Sequence, residues 1–383
     1  MIKSYKCTKS IREKHYTYLK PICYERLDAF REIFSIIAHG IINPSVIRCK
    51  LAPHTKVSLR TAGSVILANF NYKNLGFDEL VNELSKRVNI IKSYIVNSNS
   101  ILELLKFVKK EKILKSILVG KPRLLELVLY KLTCKFPSLI KSNELFIDEV
   151  GSIFSKVFNY DSFKRGKTWS SHKLQLELGT KYCLYCNLIA LPNKGYSFDH
   201  CIPQATYPLF AISLLNLIPS CTTCNTNNKK EIPFFTYTHI HPYYKDYLEN
   251  YSFYIDFKSN VLNIRTSKKS YAIHYKCRDA NISQLLDDSF KDLDLLSEYD
   301  YHKNEIDKYL EIIYFYDITY IKSVINFING RGGQITVEIL YNYLFNRELS
   351  FEKFCCNSYS RLIYDLCYNN GIMEKLKIVT TDV

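Results

Sequence analysis

Apolar side chains recur every three or four residues through most of the first 160 residues, which is the period of helices burying one face. Phe146, Val150, Ile153, Phe154, Val157 and Phe158 form one such stripe, with Ser142 or Asn143 placed to cap its start. Leu104, Phe107, Val108, Leu114, Ile117 and Leu118 form another, read as a single helix. On it, Lys106, Lys109, Lys110, Lys112 and Lys115 fill the other positions, giving either a solvated face or one that contacts phosphates. A short helix is expected over residues 169–178, ended by Gly179.

The period then changes. Residues 196–200 alternate like a strand and stop short of Pro203, and residues 214–218 read as a second short strand. Pro203 and Pro208 mark the loop between them, and residues 224–230 open a helix. Further on, Phe253, Ile255 and Phe257, then Leu262 and Ile264, then Ile273, Tyr275 and Cys277 alternate with polar residues, as two or three strands. From about residue 287 the helical period returns, most clearly over 301–328. Gly330-Arg331-Gly332-Gly333 is a turn without the spacing or the Lys-Ser/Thr of a phosphate loop. The predicted class is α+β. A helical domain spans 1–160, a small strand-and-helix module 161–248, and an α+β domain 249–383. In the last, a short β-hairpin or three-stranded sheet (about 252–278) precedes helices.

Composition adds a partner. Of 383 residues, 52 are Lys or Arg and 37 Asp or Glu, a net charge of +15 that favours polyanions, nucleic acid before an anionic membrane surface. The basic N-terminus leads into no apolar signal core, and no apolar run is long enough to span a bilayer. The thirteen cysteines are an odd count at irregular spacing, which argues against a disulfide framework and for a reducing, cytoplasmic setting. Nine are scattered and read as small buried apolar residues.

The remaining four stand in two pairs, Cys183-x-x-Cys186 and Cys221-x-x-Cys224. A Cys-x-x-Cys knuckle presents two thiolates to one ion, and two knuckles complete a tetrahedral site. With no open coordination position, that ion, most simply zinc, is structural. Between the pairs lie residues of a different chemistry: Asp199, His200 and Asn216, with Asn225 just beyond. Oxygen donors suit a hard cation, and an imidazole suits proton transfer near neutrality.

The run Cys183-x-x-Cys186, Phe198-Asp199-His200-x-x-Pro203, Tyr207-Pro208 and Asn216-Leu-Ile-Pro-Ser-Cys221-x-x-Cys224-Asn225 resembles the HNH, or His-Me finger, endonucleases. It is most similar to their cysteine-bracketed bacterial branch. Trp169 upstream and His241-Pro-Tyr-Tyr244 downstream extend the likeness over roughly residues 165–250. The resemblance implies a ββα-metal finger pinned by a zinc knuckle, cutting DNA by water attack to leave a 5′ phosphate and a 3′ hydroxyl. His200 is then the general base. Asp199 and Asn225 hold a Mg²⁺- or Mn²⁺-like ion, and Asn216 fixes the loop that orients the histidine. Lys229 or Lys230 becomes a contact to the nucleic acid, and His241 a structural or phosphate-contacting residue. The family's lysine position is Asn228 here, with Lys229 and Lys230 following, and Cys201 replaces a bulky apolar residue. The same likeness points to an anti-phage or toxin effector with a partner protein. The alternatives are a zinc-stabilised nucleic-acid-binding or adaptor protein that does not cut, and an RNase toxin using the same finger.

Overall fold

The structure is a computed structural model describing residues 7–70, 75–95, 97–141, 145–193, 197–244, 250–257, 271–315, 318–331 and 335–381. Its N-terminal half is organised on one long helix, α1 (Lys9–His39). The Thr8 hydroxyl caps the start of α1 by accepting from the Ile11 N–H, and Gly40, in the left-handed conformation that glycine adopts without steric cost, ends it. Leu19, Cys23, Leu27, Phe30, Ile33, Phe34 and Ile37 form its buried stripe. Around it pack α2 (Pro44–Leu51), α3 (Lys56–Ile66), α4 (Phe77–Tyr94), α5 (Ser98–Lys109), α6 (Glu111–Val119) and, beyond α7 (Pro122–Lys135), α8 (Asp148–Val157).

Several boundaries differ from the sequence pattern. The lysine-rich stripe is two helices, α5 and α6, broken at Lys110, whose ψ of 129° is not helical. The reason lies in the spacing: after Val108 the next positions on the buried face would be 111 and 112, and these are Glu111 and Lys112. Phe146 precedes α8, in a bridge with Ile140, and the expected caps Ser142 and Asn143 lie outside the described residues. The helix read from 169 starts two residues later. After α9 (Tyr160–Lys164), α10 (Ser171–Leu178) is capped by Ser170 and ended by Gly179. Residues 214–216 close a 3₁₀ turn instead of a strand, with Asn216 N–H bonded to the Ser213 carbonyl at 3.0 Å.

Among the described residues the chain is mostly helical, with two antiparallel two-stranded sheets, an α+β fold. The first pairs β1 (Phe198–His200) with β2 (Leu217–Pro219), setting Asp199 opposite Ile218 and His200 opposite Leu217. The second pairs β3 (Tyr251–Phe257) with β4 (Tyr271–Cys277). Leu262 and Ile264, read as a third strand, lie outside the described residues. The segment 301–328 is not one helix. It divides between Leu295–Tyr301, Lys303–Phe315 and Ile318–Asn329. No helix among the described residues is long and apolar enough to cross a membrane.

Two apolar cores meet at the first sheet. One holds the N-terminal helices together with Phe198, Leu209, Phe210 and Leu217. The other holds Cys183, Cys186, Cys221, Cys224, Ile218 and the C-terminal helices. Neighbouring residues of a strand point to opposite faces, so β1 and β2 form a partition with one face toward each core.

Candidate functional site: a cysteine cluster behind an Asp-His strand

The sulfurs of Cys183, Cys186, Cys221 and Cys224 all lie within 4.8 Å of one another, and all four residues are buried. A tetrahedral ion with metal–sulfur bonds of about 2.3 Å would separate its sulfurs by ~3.8 Å, and the Cys186 and Cys221 sulfurs are 4.0 Å apart. The backbone N–H of Leu188 donates to the Cys186 sulfur at 3.4 Å, and that of Cys224 to the Cys221 sulfur at 3.5 Å. Within the cluster the shared hydrogen bonds lower the Cys186 and Cys221 thiols, while burial raises Cys183 and hydrogen bonds to the other three thiols raise Cys224. Donor type, spacing and backbone support all fit a metal ion held by four thiolates.

The first knuckle is built into the C-terminal core. Asn187 takes a left-handed backbone (φ 58°), which asparagine tolerates better than most residues. Its amide donates to the carbonyls of Phe354 (3.1 Å) and Asn357 (2.9 Å), and its own carbonyl accepts from Tyr359 N–H at 2.8 Å. The N–H groups of Lys181 and Tyr182 both meet the Cys355 carbonyl, and the Tyr299 hydroxyl donates to the Cys186 carbonyl at 2.8 Å.

Asp199 lies on the cysteine side of the partition, 3% exposed. The Tyr185 hydroxyl, from within the first knuckle, donates to its Oδ2 at 2.6 Å. The Lys229 ammonium stands 3.3 Å from Oδ2 and 3.4 Å from Oδ1, and donates to the His200 carbonyl at 2.9 Å. Burial raises the Asp199 carboxyl, opposed by Lys229 and Tyr185. Lys229 itself is fully buried, with its ammonium 5.3 Å from the centre of the Phe234 ring. It turns inward because residues Thr223–Lys229 form a π-helical turn, closed by an i to i−5 bond from Lys230 N–H to the Asn225 carbonyl (2.9 Å). Lys230 is exposed. Asn225 is half-buried on the same turn, its N–H on the Cys221 carbonyl at 3.0 Å, so its backbone is anchored to the cysteine cluster.

His200 lies on the other face, 8% exposed, with the edge of the Tyr160 ring against it (centroids 4.8 Å apart, planes at 81°). Its Nε2 is 2.9 Å from the Ala211 carbonyl. A carbonyl only accepts, so Nε2 carries the proton and Nδ1 the lone pair. Burial lowers the imidazole to about 4, which keeps it neutral at pH 7. Asn216 fixes the loop that supplies this carbonyl. Its amide donates to the Ile202 (2.9 Å) and Phe210 (3.0 Å) carbonyls and accepts from Ile202 N–H at 2.7 Å.

His241 is 2% exposed and packs behind β2, where burial lowers it to about 3 and a hydrogen bond to the Leu215 backbone opposes the shift. Its Nδ1 accepts from Tyr243 N–H at 3.2 Å, and the Tyr243 hydroxyl meets the Leu217 carbonyl at 2.9 Å. It braces the hairpin and presents no face to solvent. His239 stacks on Phe234 and meets Asp292 at 3.0 Å. In the lysine face, Lys109 is held by Asp28 (2.5 and 2.6 Å) and Lys106 by Glu103 (2.7 Å), while Lys110 is exposed.

Sequence spacing gave no sign of Tyr185, of the inward turn of Lys229, or of Asn187. The wide gap between Cys186 and Cys221 signalled only that the stretch between the knuckles holds structure of its own. No family model, no curated protein and no solved structure matches the chain.

Proposed function

We propose that the protein is a metal-dependent endonuclease of the HNH type, hydrolysing DNA phosphodiester bonds with β1, β2 and the π-helical turn as its ββα-metal element. The reading is carried by the treatment of His200. Its Nε2–H is fixed on the Ala211 carbonyl, and Nδ1 is left as the basic atom. A general base needs that combination: a free lone pair on a ring that cannot rotate.

His200 would take a proton from water through Nδ1, and Asn216 would hold the loop that aims it. A divalent cation such as Mg²⁺ or Mn²⁺, held by Asp199 and Asn225, would supply charge neutralisation at the scissile phosphate. The oxygen donors suit such an ion. The charge of Asp199 is now met by Lys229 at 3.3 Å, so that ammonium must share the carboxylate or give way. Zinc is the natural occupant of the four-thiolate cluster, where it would hold shape only. The +15 charge would give a sequence-tolerant, salt-sensitive grip on DNA. The resemblance that suggests the activity also suggests an anti-phage or toxin role alongside a partner protein.

The ion pair between Asp199 and Lys229 favours one competing reading, a zinc-stabilised nucleic-acid binder that does not cut. Nicking of supercoiled plasmid with Mg²⁺ or Mn²⁺ separates the two. The nuclease reading expects nicking by the wild type, loss with EDTA, and loss in His200→Ala with zinc content unchanged. Retardation of DNA without nicking under either metal would leave the binder standing. A parallel RNA substrate tests the RNase alternative.

A further inference from the structure

We propose that His15 and Trp169 are positioning residues for His200, so that the N-terminal helical body sets the orientation of the base in the sheet. The inference rests on the reading of His200 given above.

His15 is completely buried in α1. Its Nε2 is 2.8 Å from the Ile212 carbonyl and must donate to it. Its Nδ1 then accepts, and the Trp169 indole N–H donates to it at 3.1 Å. The indole therefore fixes the tautomer of His15, and His15 fixes the Ile212 carbonyl. The carbonyl one residue earlier, that of Ala211, receives His200 Nε2 at 2.9 Å. Two adjacent peptide planes are thus each held by an imidazole, one from α1 and one from β1. Displacing the Ile212 carbonyl tilts the Ala211 peptide and removes the anchor of His200.

A second contact path joins the same residues. His15 packs edge-on against Phe163 (centroids 5.4 Å), Phe163 lies 6.2 Å from Tyr160, and Tyr160 meets His200 at 4.8 Å. Both supports of the His200 ring, the carbonyl at Nε2 and the aromatic edge, therefore trace back to His15. A residue serving only to fill the core would be apolar. Burying an imidazole costs free energy that its two hydrogen bonds must recover, and here they are spent on the loop that orients the base.

The test uses the full-length zinc-loaded chain with ¹⁵N-labelled histidine, the His200 signals being assigned by their absence in His200→Ala. The wild type should show His200 protonated on Nε2. His15→Leu and Trp169→Phe should each mix the two His200 tautomers. Each should also lower kcat by about 10- to 100-fold with KM for DNA unchanged, the scale of a mis-set general base. His15→Gln, which keeps an amide donor in reach of Ile212, should restore most of the loss. Trp169→Phe removes the N–H together with part of the indole's buried volume, keeps an aromatic ring in place, and carries the test if His15→Leu does not fold. A folded Trp169→Phe or His15→Leu protein with the wild-type His200 spectrum would overturn the proposal. If the wild type does not cut at all, the nuclease reading falls, while the tautomer spectra still decide the link.

Discussion

Asp199 and His200 are adjacent in sequence and stand on opposite faces of one strand. Asp199 is opposite Ile218 and faces the cysteine cluster, whereas His200 is opposite Leu217 and faces the helical body. The two residues therefore depend on different parts of the protein, and their substitutions should fail in different ways.

Asp199→Asn leaves the Lys229 ammonium buried without its counter-charge. Breaking a buried pair from one side typically costs about 3–5 kcal/mol, so urea unfolding of the metal-loaded protein should show a loss of that order. Lys229→Met should cost a similar amount, since it leaves the Asp199 carboxylate without its cation. His200→Ala breaks no ion pair and should cost clearly less while abolishing nicking. Equal stability losses for Asp199→Asn and His200→Ala would contradict the division of faces.

Metal removal should be felt beyond the sheet. Elemental analysis should find one zinc per chain in the wild type and none in Cys221→Ser. Structural zinc sites contribute on the order of 10 kcal/mol to folding. Because Asn187 and Tyr299 tie the first knuckle to the C-terminal helices, limited proteolysis of Cys221→Ser should open sites there as well as between Cys183 and Asn225. Wild-type protein purified without bound metal would sink this account.

Acid should destabilise the fold through its buried imidazoles. His15 is lowered to about 4 and His241 to about 3, both chiefly by burial, against an unfolded value of 6.5. Between pH 6.5 and about 4 the unfolded chain binds these protons and the folded chain does not. Stability is therefore full above pH 6.5 and falls as the pH drops toward 4, by up to about 3 kcal/mol for His15. Unfolding free energy measured from pH 7 to pH 4 should show this slope, and it should be shallower in His15→Gln. An identical pH slope in that variant would exclude His15 as a source.

On the lysine face, Lys109 and Lys110 should behave differently. Lys109 is committed to Asp28, so Lys109→Glu should chiefly lower stability. Lys110 is exposed, and Lys110→Glu should weaken binding to every DNA sequence alike. The salt slope of log K should become shallower by about 0.9 for a lost phosphate contact, and an unaltered slope would refute that role.

The helical flanks and the positions of β3 and β4 were legible because periodicity reports which face is buried. The cysteine pairs were legible because two-residue spacing has few other uses. The break at Lys110 was readable in the spacing, since Glu111 and Lys112 fall where the stripe needs apolar residues, but periodicity could not reveal the 3₁₀ turn at residues 214–216, whose apolar residues satisfy either pattern. The inward path of Lys229 depends on a π turn that adds one residue to the hydrogen-bonded loop, and no propensity scale resolves one residue. His15 was invisible for a different reason. Its partners Trp169 and Ile212 are 154 and 197 residues away, and nothing local marks a histidine that will be buried between them.

The left-handed turn at Asn187 has a consequence for how the protein is made. The carbonyl of Phe354 that holds it is synthesised 167 residues later. A nascent chain that has already produced all four cysteines therefore still lacks the groups that brace the first knuckle. A prematurely terminated product ending before Phe354 would carry the cysteine motif without the braced cluster.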